Sequence, residues 1–362
     1  MNAHSSPMPS FKLTRPNMVK LGRMLALVLA PVLLFTCPVF AGPLRAEVRS
    51  AEIAAADRAL GADASAYQAL QEGRSDDAAT LLRATLAANP SDALAHQLLC
   101  RVFYSQDEAD EAIRECELAV STAPANSDLA SDSELWLGRA YGMKARHAGP
   151  MIGFTLARKV EASFARAVEL NPANVAALND LGEYYVAAPF FIGGSIDKAR
   201  ALASRMMPRF PAAAHRLLAR IADSNNDLVT SESEFKQAVA AERSPGAWID
   251  LAQFYQSHAR PDDALAAVKS ALAADRTHGP SLVDAASILT KANRAPDLAE
   301  RCLRDYLASR AKSDAAPAFK VHLQLSRLLA ARGDSSDADR EIAAAAALAP
   351  AFTRSARTAQ GL

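Results

Sequence analysis

Aromatic residues are scarce in this 362-residue chain, 6 % of a composition that is half hydrophobic. Alanine makes up the difference, and no run alternates Val, Ile or Thr with polar residues, so nothing predicts a half-buried strand. An excess of either charge is also missing, with 40 basic and 40 acidic residues and no basic block, which disfavours nucleic acid as a partner. Cysteine is scarce, at four residues, and the three beyond Cys37 are an odd number, so no complete disulfide framework is implied. The chain lacks H-E-x-x-H, G-x-S-x-G, G-x-x-x-x-G-K-[ST] and C-x-x-C, so no catalytic residue, metal site or cofactor is predicted and an enzyme is not expected. Long apolar runs are absent too, except for one near the N-terminus.

That run is Met24–Ala41, preceded by Lys12, Arg15, Lys20 and Arg23 and by no acid. A basic region, an apolar stretch and small residues at Val39-Phe40-Ala41 predict a secretory signal over residues 1–46, cut after Ala41 or Ala46. Met18 is a candidate start, because Met18–Arg23 makes a compact basic leader. Two other readings stay open. The run reaches the lower edge of membrane-spanning length as an uncleaved anchor, although Pro31 and Pro38 interrupt it. Leu34-Phe35-Thr36-Cys37 also approximates a lipid-attachment signal. The expected location is therefore exported, periplasmic or cell-envelope, with membrane contact only through a retained or lipidated N-terminus. Removing residues 1–46 takes five basic residues and no acids, leaving a net charge of −5.

Beyond the leader, Ala-rich stretches recur with a period of about 34 residues, marked by Pro90, Pro124, Pro172, Pro211 and Pro350. Within one period Leu94, Leu98, Leu99, Val102 and Phe103 lie on one helical face, and Ala112, Ile113, Cys116, Ala119 and Val120 on another. Each unit is thus two helices. The phrase Trp248-x2-Leu251-Ala252-x2-Tyr255, with Ala264 and Ala271 after it, resembles the tetratricopeptide repeat. Leu137-Gly138-x2-Tyr141 and Leu181-Gly182-x2-Tyr185 are further copies. The resemblance implies an all-α, right-handed α-solenoid of about eight helical hairpins over residues 47–350, followed by a polar tail, 351–362. The small residue at Gly138, Gly182, Ala219, Ala252 and Ala286 is expected where two helices cross closely.

In this family the residue after the small one usually faces the concave groove. The corresponding residues here are Arg101, Arg139, Glu183, Arg220, Gln253, Ser287 and Arg327, with Gln97, Asn179 and Arg216 expected nearby. A row of guanidinium forks suits peptide carboxylates, as the basic, Asn-containing clamp of the chaperone-binding members does, though Glu183 breaks it. The opposing reading is a solvated polar face. His96, His215 and His322 share one repeat position and read as packing or groove lining, being too far apart for a metal. Cys100 takes a crossing position and Cys116 an inward one, so the two are expected to face each other, either as a disulfide closing a 17-residue loop or as two small buried groups. Cys302 reads as a core residue.

Two apolar inserts stand out: about ten extra residues around His147–Phe154, with Met151, Ile152 and Phe154, and about five around Ala187–Gly194, with Pro189, Phe190 and Phe191. They occupy the same slot of adjacent repeats and are expected to be neighbours, either packed on each other or exposed as a contact surface. Together these features predict a non-catalytic scaffold that holds a protein or peptide in its groove. The alternative is an oligomerising structural protein that uses the inserts as its interface, with a small-molecule site near His147, Glu183 and Tyr184 as a third reading.

Overall fold

The computed structural model of the protein describes residues 61 and 63–354. The leader with its cleavage points and Cys37, and residues 355–362 of the tail, lie outside the described residues. Among the described residues every regular element is helical, in pairs. α1 (63–71) pairs with α2 (Ser75–Ala88), α3 (Ala93–Ser105) with α4 (Ala109–Thr122), α5 (Asp128–Ala145) with α6 (Pro150–Leu170) and α7 (Val175–Ala187) with α8 (Ile196–Met206). Then follow α9 (Pro211–Ser224) with α10 (Leu228–Glu242), α11 (Pro245–Ser257) with α12 (Pro261–Ala274), α13 (Ser281–Lys291) with α14 (Pro296–Ala308), and α15 (Ala318–Ala331) with α16 (Ser335–Leu348). Consecutive helices touch in this order from α2 to α16, and first helices also touch the first helix of the next pair from α3 to α13, which makes an all-α solenoid.

Local chemistry explains the hairpins. Asp92, Ser127, Asn174, Asp227 and Ser244 accept backbone N–H bonds at the starts of α3, α5, α7, α10 and α11. Five hairpins turn through one left-handed residue, Gly73, Asp107, Asn226, Ala259 or Gly333, and the seventh through two, Asn293 and Ala295. The third has none and the fourth turns through Gly193 at φ +110°; these are the two units with extra residues. Pro211, read in the sequence as closing a unit, instead opens α9 at its first turn, where its missing N–H costs nothing.

The crossing positions are as tight as expected. A Cβ on Gly138 would lie 2.5 Å from the Phe164 ring, and one on Gly182 would lie 2.8 Å from Leu217. Gly138→Ala should therefore destabilise the solenoid by about 1–3 kcal/mol through overpacking, read as a lower urea midpoint. An unchanged midpoint would show that Phe164 moves aside freely.

One contact set breaks the neighbours-only rule of solenoids: the first hairpins meet the last. Arg101 on α3 donates from Nε and Nη2 to Asp314, at 2.7 and 2.9 Å, in the segment between α14 and α15. Gln71 donates to the same carboxylate at 3.0 Å. Lys320 pairs with Asp107 at 2.8 Å, and the Ala351 N–H donates to Asp76 at 2.9 Å. Ala318 lies so close to Gly73 that a Cβ there would fall 2.8 Å from its nitrogen. The tail begins differently from the polar segment expected: residues 350–354 are helical, Phe352 packs on Phe319 with ring centroids 4.9 Å apart, and Thr353 is buried.

The inserts also take another form. Of the residues around His147–Phe154, His147–Gly149 form a short turn and the rest are helical. They lengthen both helices of the third hairpin, to 18 residues in α5 and 21 in α6, against 11–15 in the other full helices from α2 to α16. The second insert forms a single 3-10 turn, Phe190–Ile192. It packs against the middle of α6, where the Tyr184 hydroxyl donates to the carbonyls of Ala157 and Ile192 at 2.8 and 2.6 Å.

Candidate partner-binding groove

The arginines of the predicted row already have carboxylate partners from this chain. Arg101 is held by Asp314 and lies between the rings of Tyr67 and Trp136, at 5.5 and 5.1 Å. Its side chain is 15 % exposed and that of Asp314 8 %, so this member of the row is closed to a ligand. Arg139 donates from Nε to Asp180 on the next first helix at 2.6 Å and also lies over the Trp136 ring, at 4.6 Å. Sequence reasoning missed these acids because Asp180 lies on the following repeat, three positions before the residue equivalent to Arg139, and Asp314 lies far along the chain between α14 and α15.

The middle of the row is less saturated. Arg216 and Arg220 lie one turn apart on α9. Glu183 sits between them, 3.3 Å from Arg216 Nη2 and 3.2 Å from Arg220 Nε, and Asp250 lies 3.1 Å from Arg216 Nε. Both Nε atoms are buried and held in these ion pairs with poor hydrogen-bond angles, and the two side chains remain about a quarter exposed, at 26 % and 25 %. Burial pushes the Asp250 carboxyl above the usual range, against the pull of Arg216 and Arg220. Burial does the same to Asp284, helped by the charge of Asp250, and to Asp132. The surface is thus mixed in charge where the sequence suggested a basic row broken once. Gln253 and Arg327 are exposed, Asn179 is half-buried, and Gln97 is buried and withdrawn from the surface.

The three equivalent histidines pack, as one of their two readings held. His96, His215 and His322 bind through Nδ1 to Glu115, Glu234 and Glu341, at 2.8, 2.7 and 2.6 Å, each on the second helix of its own hairpin. The signal was present as His followed by Glu 19 residues later, three times in register. Among the described residues no group of His, Cys, Asp and Glu converges to hold a metal, and no helix is long and apolar enough to cross a membrane.

Cys100 and Cys116 form a disulfide with Cα atoms 5.2 Å apart, tying α3 to α4 beside Arg101. Cys302 is a buried free thiol whose pKa burial pushes up to about 11. The insert residues are displayed: Met151 is 86 % exposed, Phe190 87 %, and Ile152, Phe154, Pro189 and Phe191 are also exposed.

The sequence model described as Tetratricopeptide repeat matches residues 69–131. No curated protein matches the chain. A thermophilic TPR protein of Thermus thermophilus is similar in structure, at 21 % identity and a TM-score of 0.40 over 69 % of this chain and 99 % of that one. Yeast Tom70 aligns at 16 % identity and a TM-score of 0.48, over 79 % of this chain and 57 % of its own. A tetratricopeptide repeat protein of Parabacteroides merdae aligns at 14 % and 0.42, over 75 % and 98 %. The segment that matches the tetratricopeptide repeat model thus lies within a solenoid of eight helical hairpins among the described residues.

Proposed function

We propose that the chain is an exported scaffold that binds an extended segment of a protein partner along α9, α11 and α15, without catalysis. The tetratricopeptide fold supports protein interaction in general; the place and the partner are our reading. The observation that carries it is the partial exposure of Arg216 and Arg220, at 26 % and 25 %, in a place where Arg101 is closed. A carboxylate of the bound segment would engage them, with Gln253 and Arg327 extending the contact. The Cys100–Cys116 bond supports export, since such bonds persist in oxidising compartments.

Arg220→Gln with Arg327→Gln tests the site without stranding a groove acid, because Glu183 and Asp250 keep Arg216. Loss of charge-assisted contacts, each contributing about 1.5–3 kcal/mol, should reduce capture of the partner from an envelope fraction at least ~10-fold. Equal capture by the double variant would end the groove reading.

A further inference from the structure

The groove leaves unexplained the largest apolar display on the described surface. Five of the ten large hydrophobic residues exposed there fall in the two inserts: Met151, Ile152, Phe154, Phe190 and Phe191. Their exposure is built into the backbone. Gly194 admits no side chain, because a Cβ would fall 1.6 Å from the Ala188 carbonyl oxygen, and Gly193 has φ +110° with its missing Cβ position 2.0 Å from the Glu161 carboxylate. The Ser195 N–H donates to Tyr185 at 2.8 Å, and Tyr184 clamps the Ile192 carbonyl to α6. A braced turn therefore holds two phenylalanines, edge to face at 5.6 Å, out in solvent.

Cations predominate on the third hairpin beside this tip. Residues 135–160 contain Arg139, Lys144, Arg146, Arg158 and Lys159 and no acid. Arg158 and Lys159 follow Met151 and Ile152 by seven residues, two turns further along the same faces of α6, and both are exposed. Arg158 also lies close enough to Tyr184, which clamps the turn, to bias its hydroxyl. No acid occupies the first turn of α6. The nearby acids are engaged: Glu161 by Lys198, Asp197 by Arg200, and Asp110 by Lys144.

We infer that this edge is a membrane-docking surface: the apolar tip enters the head-group region of an anionic bilayer while Arg146, Arg158 and Lys159 meet lipid phosphates. Apolar groups at the end and cations set back along the same helix match the depth profile of a bilayer interface. A second copy fits less well, because a symmetric contact would bring the same cations against themselves. This contact is additional to any made by the N-terminal leader, and it is independent of the groove.

The leader's apolar run would bind vesicles by itself, so the test needs a local reporter. Phe190→Trp in the full chain supplies one, read as the difference from the parent emission. With phosphatidylglycerol vesicles its emission should shift to the blue and be quenched by brominated lipid; with phosphatidylcholine it should change much less. Arg158→Ala and Lys159→Ala, made in the reporter chain, should each weaken the lipid-induced shift about fivefold with unfolding unchanged. Ile152→Trp provides a second reporter on α6. Emission of both reporters unmoved by anionic vesicles overturns the inference. A blue shift that grows with protein concentration in the absence of lipid overturns it in favour of a second copy.

Discussion

Asp314→Ala is expected to part the first hairpins from the last and to raise the radius of gyration in solution scattering. The carboxylate is nearly buried and takes three hydrogen bonds, two from Arg101 and one from Gln71. Deleting it leaves the guanidinium without an opposite charge in a poorly solvated place. Stranding one partner of a buried pair costs roughly 3–5 kcal/mol. The lower end applies, since Arg101 keeps the faces of Tyr67 and Trp136. The double change Arg101→Leu with Asp314→Leu should be milder than either charge deletion alone, because no charge is stranded. The Tyr306 hydroxyl, which receives the Ser313 N–H and donates to the Ala316 carbonyl, holds the rest of this segment and limits the damage to the junction. If Asp314→Ala left both scattering and melting unaltered, the end-to-end contact would have no role in the fold.

Reducing the Cys100–Cys116 bond, or replacing both residues by Ser, is expected to cost about 3 kcal/mol on the chain-entropy account for a loop of this size. The effect should appear as a urea midpoint that depends on reductant in the parent chain and not in the double-Ser variant. The bond also bears on the junction. It secures α3, which presents Arg101, to α4. The reduced protein should thus lose the junction before the later hairpins, seen as earlier exchange of amides in α3 than in α11. A midpoint insensitive to reductant, or three alkylatable thiols from Cys100, Cys116 and Cys302 in the unreduced denatured chain, would refute the pairing.

The hairpins were legible because their causes are local. A helix face needs only neighbours three and four residues away, a cap two or three, and a crossing glycine its own lack of a side chain. Phrases such as Leu137-Gly138-x2-Tyr141 therefore reported the stacking units correctly, and the pairing of His with Glu 19 residues on could have been read the same way. The inserts were legible as apolar but not in shape. Whether extra residues loop out or lengthen α5 and α6 depends on packing between those two helices. The arginine row was visible as a row, yet its chemistry was not. Asp180, Asp250 and Asp314 reach it from other hairpins, and Arg216 and Arg220 stay partly exposed where Arg101 does not.

Residue order alone thus sufficed for helices, turns, stacking order and the facing cysteines, all of which arise from contacts within one unit or between adjacent units. It could not specify that Arg101 meets Asp314, 213 positions away. Curvature in a solenoid is the sum of small rotations at every interface between hairpins. A few degrees at each decide whether the ends touch, and with that which arginines are closed and which part of the groove stays open.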